Sequence, residues 1–272
     1  MTRQAMSRFT AAAALIAGLA GKMTAGANIH VVDLNPEALA KLAAHYGVTT
    51  AAAVGPEVAA SDVVLLAVKP QQMREVAQSL MPQLAARQPL VISIAAGIRA
   101  ADLSRWLGGY GAIVRTMPNT PALIGMGITG MVAMGGVSAA QKQAADDIMK
   151  AVGTTVWLEH EGLIDPVTAV SGSGPAYVFY FVEAMQQAAV EMGLTAEQGK
   201  QLAVATFAGA AQLAMHSSEP VSVLRERVTS KGGTTYAALT SMEADGVKGA
   251  IVKAMKAAAA RGKELGDEFG AQ

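Results

Sequence analysis

At 272 residues the chain is long enough for one domain of ordinary size and a smaller partner. Lys plus Arg and Asp plus Glu both total 21, so it lacks the basic excess with which proteins grip nucleic acid. Cysteine is absent, which removes disulfides and thiolate chemistry, and although 52% of residues are apolar no stretch reaches the roughly 18 consecutive apolar residues of a membrane span, so the apolar excess is assigned to a subunit interface.

Arg3 and Arg8 precede or enter an apolar run from Phe9 to Ala20, and Ala25-Gly26-Ala27 has a small-x-small form, so residues 1–27 have the outline of a secretory signal. From residue 29 onward, short branched apolar runs alternate with helical patterns. "IHVVDL", "DVVLLAVKP", "PLVISIAAG" and "AIVRTMP" predict strands that are apolar on both faces. "PEALAKLAAHYG", "QQMREVAQSLMPQL" and "RAADLSRWLGG" predict the helices between them. This alternation predicts βαβ units and a parallel sheet. "IHVVDLNPEALAKL" reads as the second strand and following helix of a nucleotide-binding fold, so a first strand and a glycine-rich turn are expected upstream.

After "TTVWLEH" no further strand is expected. "PAYVFYFVEAMQQAAVEMG" is apolar nearly all round in its first two turns, which predicts a helix buried on every side, with Gly193 as its stop. Thr195 and Gln198 form a capping box for the next helix. Pro220 starts a short helix, and "VKGAIVKAMKAAAARGKELG" is the last. The domain boundary is placed near residue 160, dividing a dinucleotide-binding domain (1–160) from an all-helical domain (161–272) whose Ala- and Gly-rich helices pack across a dimer interface.

Four stretches carry candidate chemistry. Val68, Lys69 and Pro70 leave the end of a strand, the edge where ligands bind in open α/β sheets, with a solvated lysine at an ordinary strand exit as the alternative. "RTMPNTPALIGMG" brackets Asn119 and Thr120 with prolines, which can continue neither helix nor interior strand, so it is a rigid polar loop or a plain turn. In "VSGSGPAYVF", Ser171, Gly172, Ser173 and Gly174 precede a helix and would let backbone N–H groups approach an anion, or simply cap the helix. The strongest signal is "VTSKGGTTYAALTSM", where Ser230, Gly232, Gly233, Thr234 and Thr235 converge unpaired N–H groups and hydroxyls on one small anion, fitting a carboxylate. His30, His45, His160 and His216 have no metal-ligand spacing, and no serine sits in a nucleophile elbow.

In this order and spacing, "VKPQ", "RTMPNTP", "VSGSGPAY" and "VTSKGGTT" resemble pyrroline-5-carboxylate reductase, over about residues 11 to 266. The resemblance implies a Rossmann-type α/β domain, a helical C-terminal domain through which subunits form a homodimer or a higher assembly of dimers, and reduction of L-1-pyrroline-5-carboxylate to L-proline by NADPH or NADH. It implies that Ser230, Gly232, Gly233, Thr234 and Thr235 hold the substrate carboxylate, with the Thr235 hydroxyl near the ring nitrogen as the catalytic contact. Ser173 belongs to the segment Ser171–Pro175 that closes on the substrate. Asp33, Asn35, Val68, Lys69, Pro70, Ala95 and Asn119 are implied on the cofactor side, with no metal. The partner is a small-molecule substrate, with neither nucleic acid nor membrane, in a cytoplasmic enzyme.

The family begins with a short strand and a Gly-x-Gly-x-x-Ala type turn entering an alanine-rich helix. "AAAALIAGL" matches that helix, which favours an internal helix over a leader for this stretch, yet "MTRQAMSRFT" contains no glycine. Two readings therefore stand at this level: the reductase, and a relative that keeps the helical dimer and carboxylate nest but binds dinucleotide poorly. A hydroxy-acid dehydrogenase would need a general base, for which Lys231 is the only evident candidate. Asp33 favours the ribose hydroxyls of NADH, whereas Asn35 tolerates the extra phosphate of NADPH.

Overall fold

Helix boundaries in the first half follow from local chemistry, as the computed structural model, which describes residues 11–85 and 87–271, makes plain. The alanine-rich stretch forms α1 (Ala11–Leu19), and strand β1 (His30–Val32) follows. Asn35 then caps α2 (Pro36–Tyr46): its side-chain oxygen accepts from the Glu37 and Ala38 N–H groups, Pro36 takes the first turn, and Gly47 at φ +67° ends the helix. Next come β2 (Thr49–Ala51), α3 (Pro56–Ala59), β3 (Val63–Leu66), α4 (Pro70–Leu84), β4 (Leu90–Ser93), α5 (Ala100–Trp106) and β5 (Ile113–Met117). A 3₁₀ turn, Thr120–Ile124, leads to β6 (Gly127–Ala133). The capping box of Ser138 and Gln141 starts α6 (Ala139–Lys150), which returns to β7 (Gly153–Trp157). One short helix, α7 (Ile164–Val167), runs into a π-helical turn, Thr168–Gly172.

Strands β3-β4-β5-β6-β7 form one sheet, parallel except for the antiparallel pair β5–β6, and β1–β2 form a separate parallel pair. Strands β2, β6 and β7 were not among the expected strands. Among the described residues no strand joins β1 to β3. In a doubly wound sheet the first strand lies between the second and the fourth, and β1 and β3 correspond to those two. The expected first strand and glycine-rich turn fall on residues 1–10, outside the described residues.

Every residue of β4 is buried, and successive side chains go to opposite faces. Val91 joins Leu66, Met73, Leu80, Ile98 and Leu103 on one face, and Val32 of β1 packs against this cluster. Leu90 and Ile92 join Leu15, Val114, Met131 and Met149 on the other. Helix α1 is thus seated in the core through Leu15.

Asp146 ties α6 to β7. Its carboxylate accepts from Thr155 Oγ1 at 2.7 Å and Trp157 Nε1 at 3.0 Å, and pairs with Lys150 Nζ at 2.6 Å. Burial pushes this carboxyl up, but the hydrogen bonds from Lys150, Thr155 and Trp157 together outweigh it and hold the pKa below the usual carboxylate range. The unfolded chain therefore binds the proton more readily, so the contribution is full above the ordinary carboxylate pKa and is lost as pH falls through the lowered one. Asp146→Asn should cost about 2 kcal/mol near neutrality and flatten the acid limb of a stability-versus-pH curve measured by urea unfolding. An unchanged acid limb would remove Asp146 from that role.

By compactness the chain divides into two units: one runs to Gly172 and resumes at Ala258, and the other is Ser173–Ala257. The stretch 161–172 and the end of the last helix thus pack with the sheet. The second unit contains α8 (Gly174–Glu191), α9 (Ala196–His216), α10 (Val221–Arg227), α11 (Thr234–Ala244) and the start of α12 (Val247–Gly270). Gly193, at φ +99°, follows the end of α8, and the Thr195–Gln198 capping box opens α9 as expected. One expectation fails within the single chain: α8 is not buried on every side. It packs on α9 through Phe181 and Phe207, whose ring centroids lie 6.4 Å apart, while Phe179 and Tyr180 are 63% and 71% exposed. An all-round apolar pattern marks surface to be covered without specifying whether the same chain covers it.

Candidate active site

In the first unit, the segments after β3, β4 and β5 share one sheet edge, because these strands are parallel neighbours. Val68 and Lys69 leave β3, and Pro70 takes the first position of α4, for which the exposed Lys69 is the N-cap residue. Buried Ala95 follows β4, and its N–H donates to Ser93 Oγ. Asn119 follows β5, and its Oδ1 accepts from Ile128 N at 2.9 Å, which locks the loop and leaves the amide nitrogen to donate elsewhere. Four of the expected cofactor positions are thereby brought to one edge with Asn119.

Asp33 and Asn35 follow β1. Asp33 Oδ1 accepts from Asn35 N at 2.8 Å, while Asn35 Oδ1 is engaged at the start of α2. Asp33 is exposed, and only its Oδ1 is engaged in that bond. These residues fit a dinucleotide held across strand ends, with a carboxylate for ribose and a cation beside a helix start.

Sequence reasoning missed the polar support behind this edge. Arg115, in the middle of β5, is only 4% exposed and donates through Nη1 to Glu161 Oε1 at 2.8 Å. The same oxygen accepts from Ala100 N at 2.6 Å, capping α5 from outside. Buried Thr116 donates to Ser93 O across the β4–β5 pair. The available signal was the arginine inside "AIVRTMP", because a buried guanidinium demands a carboxylate. The Ser171 hydroxyl, in the π-helical turn, is buried with no hydrogen-bond partner among the described residues.

In the second unit, Ser230 to Thr235 form one compact turn. Gly233 N donates to Ser230 O at 3.0 Å, and Gly232 sits at φ +75° in the turn position that favours glycine. Gly233 is the N-cap residue of α11 and offers no side-chain oxygen, so the first N–H groups of that helix stay available. Thr234 and Thr235 occupy the first helical turn, both exposed. This uncapped end leaves free N–H donors beside Ser230 and two threonine hydroxyls. Ser173 is the N-cap residue of α8, with Pro175 in the first turn.

A groove of about 500 Å³ lined by Arg74, Met81, Arg105, Trp106 and Gly270, and one of about 580 Å³ beside α9 lined by Leu194, Gln198 and Leu202, contain none of these residues. Both are open clefts, apart from the strand edge of the first unit and from the uncapped start of α11 in the second. Among the described residues no three His, Asp or Glu side chains group as metal ligands.

The family model described as pyrroline-5-carboxylate reductase dimerisation matches residues 161–265, and the model described as NADP oxidoreductase, coenzyme F420-dependent, matches residues 10–97. The pyrroline-5-carboxylate reductase of Pseudomonas aeruginosa is 44% identical over 95% of this chain and 94% of its own. A solved pyrroline-5-carboxylate reductase from Coxiella burnetii aligns with TM-score 0.89 and 38% identity over 94% of both chains. A Plasmodium falciparum pyrroline carboxylate reductase solved with NADP bound aligns with TM-score 0.82 and 29% identity over 93% of both.

Proposed function

Because the chain belongs to the pyrroline-5-carboxylate reductase family, we propose that it reduces L-1-pyrroline-5-carboxylate to L-proline with NADPH or NADH, the last step of proline synthesis. The observation that carries this reading is the uncapped start of α11 with Ser230, Thr234 and Thr235 beside it, a receptor for one carboxylate.

In this reading a bound nicotinamide supplies a hydride to the imine carbon. Asp33 and Asn35 take the adenosine ribose side, and Val68, Lys69, Pro70, Ala95 and Asn119 line the nicotinamide side. The backbone of Gly232, Gly233 and Thr234, with Ser230, holds the substrate carboxylate, and Ser173 bounds the substrate. Thr235 Oγ1 accepts a hydrogen bond from the protonated ring nitrogen. An iminium already attracts hydride, so the residues need only orient it, and orientation can supply about 7–11 kcal/mol of the barrier.

The same reading makes the protein a homodimer, supported by the dimerisation match and by the exposed Phe179, Tyr180, Leu213 and Met215. Among the described residues no helix is long and apolar enough to cross a membrane, and the biosynthetic reading places the enzyme in the cytoplasm. The test is fluorescence titration of the purified chain with NADPH and NADH, followed by turnover with pyrroline-5-carboxylate. Saturable binding with turnover is the expected result. A folded dimer that binds neither nucleotide would overturn the reading.

A further inference from the structure

The end of α12, from Ala258, packs in the first unit against the segment that joins β4 to α5. Gly262, Gly266 and Gly270 recur every fourth residue and leave a stripe of that helix without side chains. A β-carbon on Gly266 would lie 3.0 Å from Arg99 Nε, and one on Gly270 would lie 2.5 Å from Asp102 Oδ2. Arg99 Nη2 donates to Asp267 Oδ1 at 2.6 Å and to Lys263 O at 3.2 Å. Lys263 Nζ holds the other Asp267 oxygen at 3.1 Å. Arg105 Nη2 donates to Gly270 O at 2.7 Å. Gly97, at φ +73°, lies under the Phe269 ring, which packs against the first core cluster.

Helix α5 has no side-chain cap of its own, since its N-cap residue is Arg99. Its start is held instead by Glu161 on Ala100 N and by α12 on Arg99. An ordinary strand-to-helix loop needs only a local cap. This one is clasped by Glu161, 61 positions away, and by α12 residues more than 160 positions away, and it begins at Ala95, on the strand edge proposed for the nicotinamide.

We propose that the end of α12 is a clamp on the β4–α5 segment, and that Asp267 and Arg99 are positioning residues for the cofactor, acting through the backbone from Ala95 to Gly97. The proposal rests on the reading that this edge binds NAD(P)H. Loosening the clamp lets Ala95 shift, and errors near 1 Å in a supporting segment are costly to a site.

The test compares Asp267→Ala, Asp267→Glu and Glu264→Ala in the full chain. Glu264 is a control carboxylate on the same helix, paired with Arg261 at 3.0 Å. Readouts are the NADPH dissociation constant by fluorescence titration, KM and kcat, the thermal midpoint, and hydrogen exchange over 94–100. Asp267→Ala should weaken NADPH binding about 5–10-fold, raise KM for NADPH in parallel, leave kcat within about twofold, and speed exchange in that segment. Asp267→Glu should retain most of the affinity, and Glu264→Ala should match the wild type. Wild-type protein that fails to bind NADPH would overturn the functional reading itself. If the wild type binds and Asp267→Ala binds equally well, the clamp is overturned. It is also overturned if Glu264→Ala loses as much affinity as Asp267→Ala, or if the loss merely tracks a fall in thermal midpoint.

Discussion

Thr235→Ala is expected to lower kcat/KM for pyrroline-5-carboxylate by about 10–100-fold, with the fold and the dimer intact, because it deletes the one hydroxyl assigned to the ring nitrogen. Thr235 is exposed in the first turn of α11, where an alanine fits the helix without strain. A structural cost is therefore not expected. In the proposed reading the carboxylate receptor is mostly backbone and survives the substitution. The loss should fall mainly on kcat, since the hydroxyl orients the reacting group more than it anchors the molecule. Thr235→Ser, which keeps the oxygen, should recover most of the rate. Steady-state kinetics with saturating NADPH, beside a thermal melt of each variant, decides the matter. Unchanged kinetics in Thr235→Ala would take this residue out of the site.

Gly153→Ala is expected to be strongly destabilising. Gly153 opens β7 and pairs with Gly127 of β6 at φ +152°, a conformation L side chains rarely adopt. A β-carbon there would overlap the Gly127 carbonyl and come within 2.6 Å of its nitrogen. Backbone cannot rotate away as a side chain can, so the β6–β7 pairing must open where it starts. Strain and clash together should cost about 4 kcal/mol, and the thermal midpoint should drop by roughly 10 °C. Calorimetry would measure this. Gly209→Ala is the control, because a β-carbon at Gly209, inside α9, meets nothing within 4 Å. A Gly153→Ala protein melting with the wild type would mean that the β6–β7 pairing is not as described.

Residues within about four positions of one another determined most of the elements by themselves. Asn35 and Pro36 start α2, Thr195 and Gln198 start α9, and apolar runs bounded by prolines and glycines mark β3, β4 and β5. The same local reach made the "VTSKGGTT" turn legible, because a glycine at positive φ and an uncapped helix start need only neighbouring residues. Strand β6 was hidden by its own glycines. Gly127 and Gly130 depress strand propensity, yet a β-carbon on the first would lie 2.9 Å from Ala122 and on the second 2.7 Å from Val167. Strand β2 has only three residues and little apolar pattern to show.

Only the tertiary structure decided the antiparallel joining of β5 to β6, the Arg115–Glu161 pair behind the strand edge, and the return of α12 to Arg99. Each pairs residues whose separation in sequence carries no period or spacing. Their partners are chosen by burial and geometry once the chain has folded, since a buried guanidinium or an unpaired strand edge accepts whichever complementary group the topology brings to it.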